Sequence, residues 1–235
     1  MTSEHVPSPR LRRNFLLAAP LILLTPVSFG LLLQVWDEPL AWKWVGLGAA
    51  GWTVALTLRL PVALFARRLG VGSRVLQRLV VVASGPAEET TRLVVLILAG
   101  REFAVAYSIG LGWGGVEVVY AVLNSGLALW LARGTGRRAE RVRHQLGEAR
   151  DRGLFTDAGP ILGIAERLSA NAIHLGFTLL LAHWPLLLVG TIPIHSGINL
   201  VAVALARRSL VGTEAFVAAV GAALFLGGLA AFGKV

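Results

Sequence analysis

The sequence predicts an all-α, polytopic membrane protein: one membrane domain over residues 1–235, about seven transmembrane helices, and a cytoplasmic N-terminus. Three observations carry this reading. The chain is 55% hydrophobic with a mean hydropathy of +0.70, and only 15% of its residues are charged, against roughly 25% in an ordinary soluble domain. Apolar runs long enough to cross a bilayer recur along its length. Basic residues gather on alternate connections between those runs, which is how a membrane protein records its orientation.

A spanning helix needs about 20 mainly apolar residues, and seven segments qualify, at about 14–35, 43–65, 77–99, 103–131, 160–182, 185–206 and 213–232. The first follows Arg10, Arg12 and Arg13 in the manner of a signal peptide, but its apolar run is too long and shows no small-residue cleavage site, so it counts as helix one. The third carries Gly85-Pro86-Ala87-Glu88-Glu89-Thr90-Thr91-Arg92 in its middle, and the fourth is glycine-rich and contains Glu117. Between the fourth and fifth lies a basic cytoplasmic loop, 133–158. Its Arg/Glu mixture suits either a short amphipathic helix against anionic headgroups or a solvated linker.

With the N-terminus inside, 16 of the 22 basic residues fall on cytoplasmic connections, and only Lys43, Arg101 and Lys234 fall outside. Trp36, Trp42, Trp44 and Trp184 mark exterior ends and Trp130 an interior end, as aromatic anchors do. The pI of about 11.4 therefore reflects topology, and no nucleic-acid partner is expected. The chain has no cysteine, which excludes disulfides, thiolate metal sites and Cys nucleophiles. Chemistry has to come from carboxylates, histidines, hydroxyls or backbone.

A charge at the bilayer centre costs about 2.5–3.5 kcal/mol even on a lenient insertion scale. Glu88 and Glu89, Glu117, His174 and His195 nevertheless lie at or within about one turn of the midpoints of four segments. Helical phase puts Glu88 with Arg92, Arg167 with His174, and His195 with Asn199 on shared faces. Glu88 and Glu89 point about 100° apart, so one faces a site while the other pairs with Arg92 or Arg167. Pro86 and Pro193 each precede a site residue by two and free a helix carbonyl, which predicts a kink at both places. Gly110, Gly112, Gly114 and Gly115 around Trp113 permit close helix packing or local unwinding. Taken singly, a membrane Glu or His is as often a structural hydrogen-bonding residue between helices. Four segments that bring such residues to one depth point to one buried polar site.

The stretches Glu88-Glu89-Thr90-Thr91-Arg92, Gly110 to Glu117, Glu166-Arg167 with His174, and His195-Ser196-Gly197-Ile198-Asn199 resemble, in order, the motifs of the YhfC family of intramembrane metalloproteases. That family groups with the PrsW proteases, the CAAX-processing proteases and the histidine-bearing scaffold subunit of gamma-secretase. The resemblance covers about residues 77–206. It implies hydrolysis of a membrane-embedded or membrane-adjacent peptide in a prokaryotic plasma membrane. Glu88 would be the general base, His174 its partner at the water or a metal, and His195 and Asn199 a second ligand or oxyanion stabiliser. Glu89, Arg92, Glu117, Arg167 and Trp113 would shape the site. Glu88, His174 and His195 would be the ligands of a divalent metal such as zinc, which a Glu/His set without Cys suits. The chain departs from the family at Trp113, where members commonly carry His; if that His is a ligand, a weak or inactive member is expected. A non-catalytic membrane scaffold of the same fold is the alternative, followed by a proton-coupled transporter, which would need a polar path to both sides.

Overall fold

The structure is a computed structural model that describes residues 9–151 and 160–235; residues 152–158 of the expected basic loop lie outside them. Every regular element among the described residues is a helix. In chain order these are α1 (Pro9–Leu23), α2 (Thr25–Leu32), α3 (Trp42–Leu58), α4 (Leu60–Arg68), α5 (Ser73–Val82) and α6 (Ser84–Ala99). They continue with α7 (Phe103–Leu131), α8 (Arg137–Asp151), α9 (Pro160–His183), α10 (Leu188–Ala206) and α11 (Leu210–Ala231). Short 3-10 turns at Leu33–Trp36 and Pro185–Leu187 complete the set.

Five helical stretches among the described residues are long and apolar enough to cross a membrane: Arg10–Trp36, Trp42–Arg68, Phe103–Leu131, Pro185–Ala206 and Leu210–Ala231. The α5–α6 stretch and α9 do not qualify. They carry Glu88, Glu89, Arg92, Glu166 and Arg167; the bundle buries Glu88, Glu89 and Arg92 and half-buries the other two, while Arg74 and Arg78 of α5 stay exposed.

Three of the apolar runs are interrupted, each near a proline. The first breaks at Leu24 before Pro26, the second at Arg59 before Pro61, and the third at Ala83 before Pro86. Proline removes the N–H that would bond four residues back, and at Pro86 the orphan is the carbonyl of Val82. Ser196 of α10 donates its hydroxyl to that oxygen at 2.8 Å, so the break in the third run becomes a tie to a neighbouring helix. Pro193, by contrast, lies inside an uninterrupted α10. The glycines of α7 do not unwind it either, since the helix is continuous from Phe103 to Leu131. They set packing distance: a Cβ on Gly112 would overlap the Val45 carbonyl of α3, and one on Gly48 of α3 would overlap the Ile109 carbonyl of α7.

α7 and α9 form the centre. α9 packs along α11 and α7, α3 against α7 and α6, and α10 against α6 and α11. Toward the Trp36 and Trp184 end the interior is apolar, with Leu96, Phe103, Tyr107, Leu175, Leu181 and Phe225 among its buried residues. Aromatic rings dominate that end, including edge contacts of Phe103 with Trp36 and of Phe29 with Phe225. The basic stretch after α7 forms the helix α8, from which Arg143 donates back to the carbonyls of Ala132 and Gly134.

Candidate functional site

Four helices deliver the membrane-depth polar residues to one place. α6 supplies Glu88, Glu89 and Arg92, α7 supplies Trp113 and Glu117, α9 supplies Arg167 and His174, and α10 supplies His195. Glu89 and Arg92 are fully buried, and Glu88, His174 and His195 are 3–4% exposed. Each group has bonding partners, as groups removed from water must.

The two glutamates of α6 divide as their angular separation requires. Glu89 turns inward: its Oε1 receives His195 Nδ1 at 2.6 Å and Arg92 at 3.3 Å, and its Oε2 lies 3.3 Å from Arg92 Nε. Glu88 turns toward a cavity. Its Oε1 is paired with Arg59, its Oε2 accepts the Trp113 indole N–H at 3.0 Å, and His195 Nε2 stands 3.6 Å from Oε1. Glu117, on the facing helix, is dressed in the same way. Arg167 donates to Oε1 at 3.1 Å and the Trp52 indole N–H to Oε2 at 3.2 Å, with His174 Nε2 at 2.7 Å from that oxygen.

Arg92 is the hub. It donates to the His174 carbonyl at 3.0 Å, to Thr178 Oγ1 at 2.6 Å and toward His174 Nδ1 at 3.2 Å. Its guanidinium lies 4.3 Å from the Trp113 ring, a cation–π contact in a dry setting. Trp113 stands where the resembled family carries His. It contributes an N–H donor to Glu88, which a metal-binding imidazole nitrogen would not, and it sits behind the cavity wall instead of filling the cavity.

The cavity is about 470 Å³ and runs from Glu88, His174 and His195 past Tyr120 and Asn124 to Glu214. Its lining residues lie toward the ends of α3 and α7 and the starts of α6 and α11, and on α9 and α10 they extend to mid-helix. On the opposite side of the cluster the interior is the apolar core. Asn199 lines the cavity, but its Nδ2 donates to Ser84 at 2.8 Å instead of joining the carboxylate cluster. Arg167 reaches both Glu117 and Glu166.

Four contributors are absent from the sequence-based set. Arg59 and Glu214 each carry a signal, since a charge within an apolar run calls for a partner. Trp52 and Phe177 carry none; Phe177 stacks on His195 with ring centroids 5.4 Å apart and planes 7° from parallel.

Glu88, Glu117 and His174 bring one donor atom each to within 4.8 Å of one another, so this group can hold a metal ion. Carboxylate oxygen with imidazole nitrogen is a donor set that zinc accepts. It differs from the expected trio by Glu117 in place of His195. No family model, curated protein or solved structure matches the chain.

Proposed function

We propose that this protein is an intramembrane protease-like hydrolase, of the kind the YhfC and PrsW motifs suggest. It cleaves a membrane-embedded or membrane-adjacent peptide with water activated by its Glu/His cluster. The carrying observation is the convergence of Glu88, Glu117, His174 and His195 on one cavity that lies to one side of the apolar, aromatic core. A hydrolase needs water from one side, whereas a transporter needs a polar path to both, and the aromatic core occupies the other side. The reading includes seven spans, with α5–α6 and α9 as the two polar ones, in a prokaryotic plasma membrane. It places the N-terminus and the basic connections in the cytoplasm, so the cavity faces the cytoplasm.

In this reading the chain's own groups do three things. Glu88 and His195 face the cavity and hold the attacking water. Arg59, Arg92 and Arg167 pair with Glu88, Glu89 and Glu117 respectively, Arg167 reaching Glu166 as well, and so hold the carboxylates in place around the cavity. The apolar half keeps bulk water away from the lipid-side interior. Where a divalent ion such as zinc is bound, by Glu88, Glu117 and an imidazole, it supplies Lewis-acid polarisation of the scissile carbonyl.

A second reading, a non-catalytic scaffold, is favoured by one observation: both oxygens of Glu88 and both of Glu117 already have partners. One experiment separates the two. Protein reconstituted in liposomes is incubated with transmembrane peptides and the products are read by mass spectrometry. The hydrolase reading expects cleavage that falls by about a hundredfold or more in Glu88→Ala, His174→Ala and His195→Ala. Equal cleavage by wild type and all three variants overturns it. No cleavage in any form, with large losses of thermal stability in the variants, establishes the scaffold.

A further inference from the structure

Outside the polar cavity, α2, the start of α3 and the middle of α7 enclose a second hollow, and we infer that it binds one acyl chain of a membrane phospholipid.

The hollow is a trough of about 700 Å³, within the roughly 300–1,000 Å³ of pockets that hold a small molecule. α2 and α3 both pack on α7, and the trough lies between them with α7 as its floor. All three belong to helical stretches long and apolar enough to cross a membrane. Val27, Leu31 and Val119 of the lining are exposed, so bilayer hydrocarbon has access to it. Its glycines serve two different ends. A Cβ on Gly112 would overlap the Val45 carbonyl, so close packing of α7 on α3 demands glycine there. A Cβ on Gly30 or Gly115 would meet only ordinary contacts, the nearest at 3.5 and 3.6 Å. At those two positions the missing side chain gives its volume to the trough.

The distribution of polar groups identifies the occupant. Gln34 and Glu38 both stand at the end formed by the 3-10 turn and the connection to α3, where Trp42 is exposed and Glu38 is paired with Lys234 at 3.0 Å. From there to Pro26, Ala49 and Val119 the lining is apolar. A molecule with one polar end and one apolar tail matches that pattern. Length agrees, since Leu111 to Val119 covers about 12 Å of α7 and one leaflet supplies about 15 Å of hydrocarbon. A peptide crossing the bilayer has to be helical to satisfy its backbone, and it needs a contact strip through both leaflets, about 30 Å long. A second copy of the bundle would present the same long helices. The segments outside the described residues join the bundle before Pro9 and before Pro160, at its opposite end, so they are not placed to fill the trough. Any apolar surface in a bilayer is covered by tails, but a concave one surrounds the tail and gains more dispersion contact than a flat one.

The inner end of the trough meets the wall of the polar cavity. Val116 packs with Trp52 and Trp113, and Tyr120, beside Val119, lies against Trp52 with ring centroids 5.4 Å apart. Trp52 and Tyr120 line the cavity, and the Trp52 indole donates to Glu117. A tail on Val116 and Val119 therefore backs the partition between lipid and cavity. The inference goes beyond the hydrolytic reading and does not rest on it.

The test is photolabelling of the protein in phosphatidylcholine liposomes that contain a small fraction of phosphatidylcholine with a diazirine midway along one chain. Digestion and mass spectrometry locate the adducts. Ala49, Val116 and Val119 are expected to be labelled about fivefold above Val94, Ile97 and Leu226, exposed apolar residues of the same half of the bundle, a preference of about 1 kcal/mol. Ala49→Phe and, independently, Val119→Trp fill the trough and are expected to bring its remaining residues down to the level of those controls. Equal labelling of trough and controls means bulk lipid only and overturns the inference, as does excess labelling that both filling variants leave unchanged. Trough residues protected from the label, with the wild type dimeric and Ala49→Phe monomeric by light scattering, would give the trough to a second copy and overturn it equally.

Discussion

The two halves of the bundle, divided at the level of Glu88 and His174, are built by different rules. Toward Trp36 and Trp184 the interior is filled, with Leu33, Ile109, Leu175 and Leu181 fully buried and Phe103, Tyr107 and Phe225 in ring contact. Toward Arg133 and Arg207 the helices stand around a cavity of about 470 Å³ lined by four glutamates and two arginines. Lipid offers no hydrophobic drive for helix association, so the filled half is held by van der Waals contact and close backbone approach. The other half is held by ion pairs and hydrogen bonds between helices. The same chain thus uses contact density where it needs closure and paired charge where it needs a hollow.

The sharpest way to break this contrast is at the boundary. Arg92→Met removes the counter-charge of the fully buried Glu89 and the donor to the His174 carbonyl. Stranding one member of a buried pair costs about 3–5 kcal/mol, and denaturant unfolding in mixed micelles is expected to show a loss of that order. A loss below 1 kcal/mol would mean that water reaches the cluster from behind and that the two halves are not distinct.

In the filled half, Gly48→Ala forces a methyl against the Ile109 carbonyl and pushes α3 from α7. Overpacking of this kind costs about 1–3 kcal/mol. The expected reading is a lower unfolding temperature, with Gly46→Ala, whose Cβ would meet open space, as the silent control. Equal effects from the two would remove backbone approach as the basis of the α3–α7 seam.

The smallest effect belongs to the cavity wall. Glu214 is half-buried at the start of α11, and its Oε2 has no hydrogen-bond partner. Glu214→Gln is expected to change stability by no more than about 0.5 kcal/mol, because the group faces the hollow and not a packed neighbour. A cost near that of Arg92→Met would show the cavity to be dry.

The helical class and the convergence of the polar residues were legible because a charge inside an apolar run calls for a partner, so each exception announces itself. Helical phase also put Asn199 beside His195, and both line the cavity. Beyond the pairing of one α6 glutamate with Arg92, partner choice was not legible. Arg59 meets Glu88 because the second run breaks at Arg59 before Pro61, and Asn199 turns to Ser84 because α6 restarts there after Ala83. Trp113 reads in sequence only as a missing histidine. Its role as an N–H donor to Glu88 depends on the space beside Gly51, where a Cβ would stand 2.7 Å from the indole. Such facts belong to the meeting of helices, which the residues of one helix do not encode.

The seam between α10 and the α5–α6 break carries one more consequence. Ser196 holds the Val82 carbonyl, Asn199 holds Ser84 and His195 holds Glu89, at 2.8, 2.8 and 2.6 Å. Three bonds from three positions on one helix, all to the neighbouring strip 82–89, fix α10 in register like teeth in a rack. It can neither slide by a residue nor roll without releasing all three together. Any separation of helices in this bundle is therefore expected to leave α10 attached to the 82–89 strip and to part a different pair.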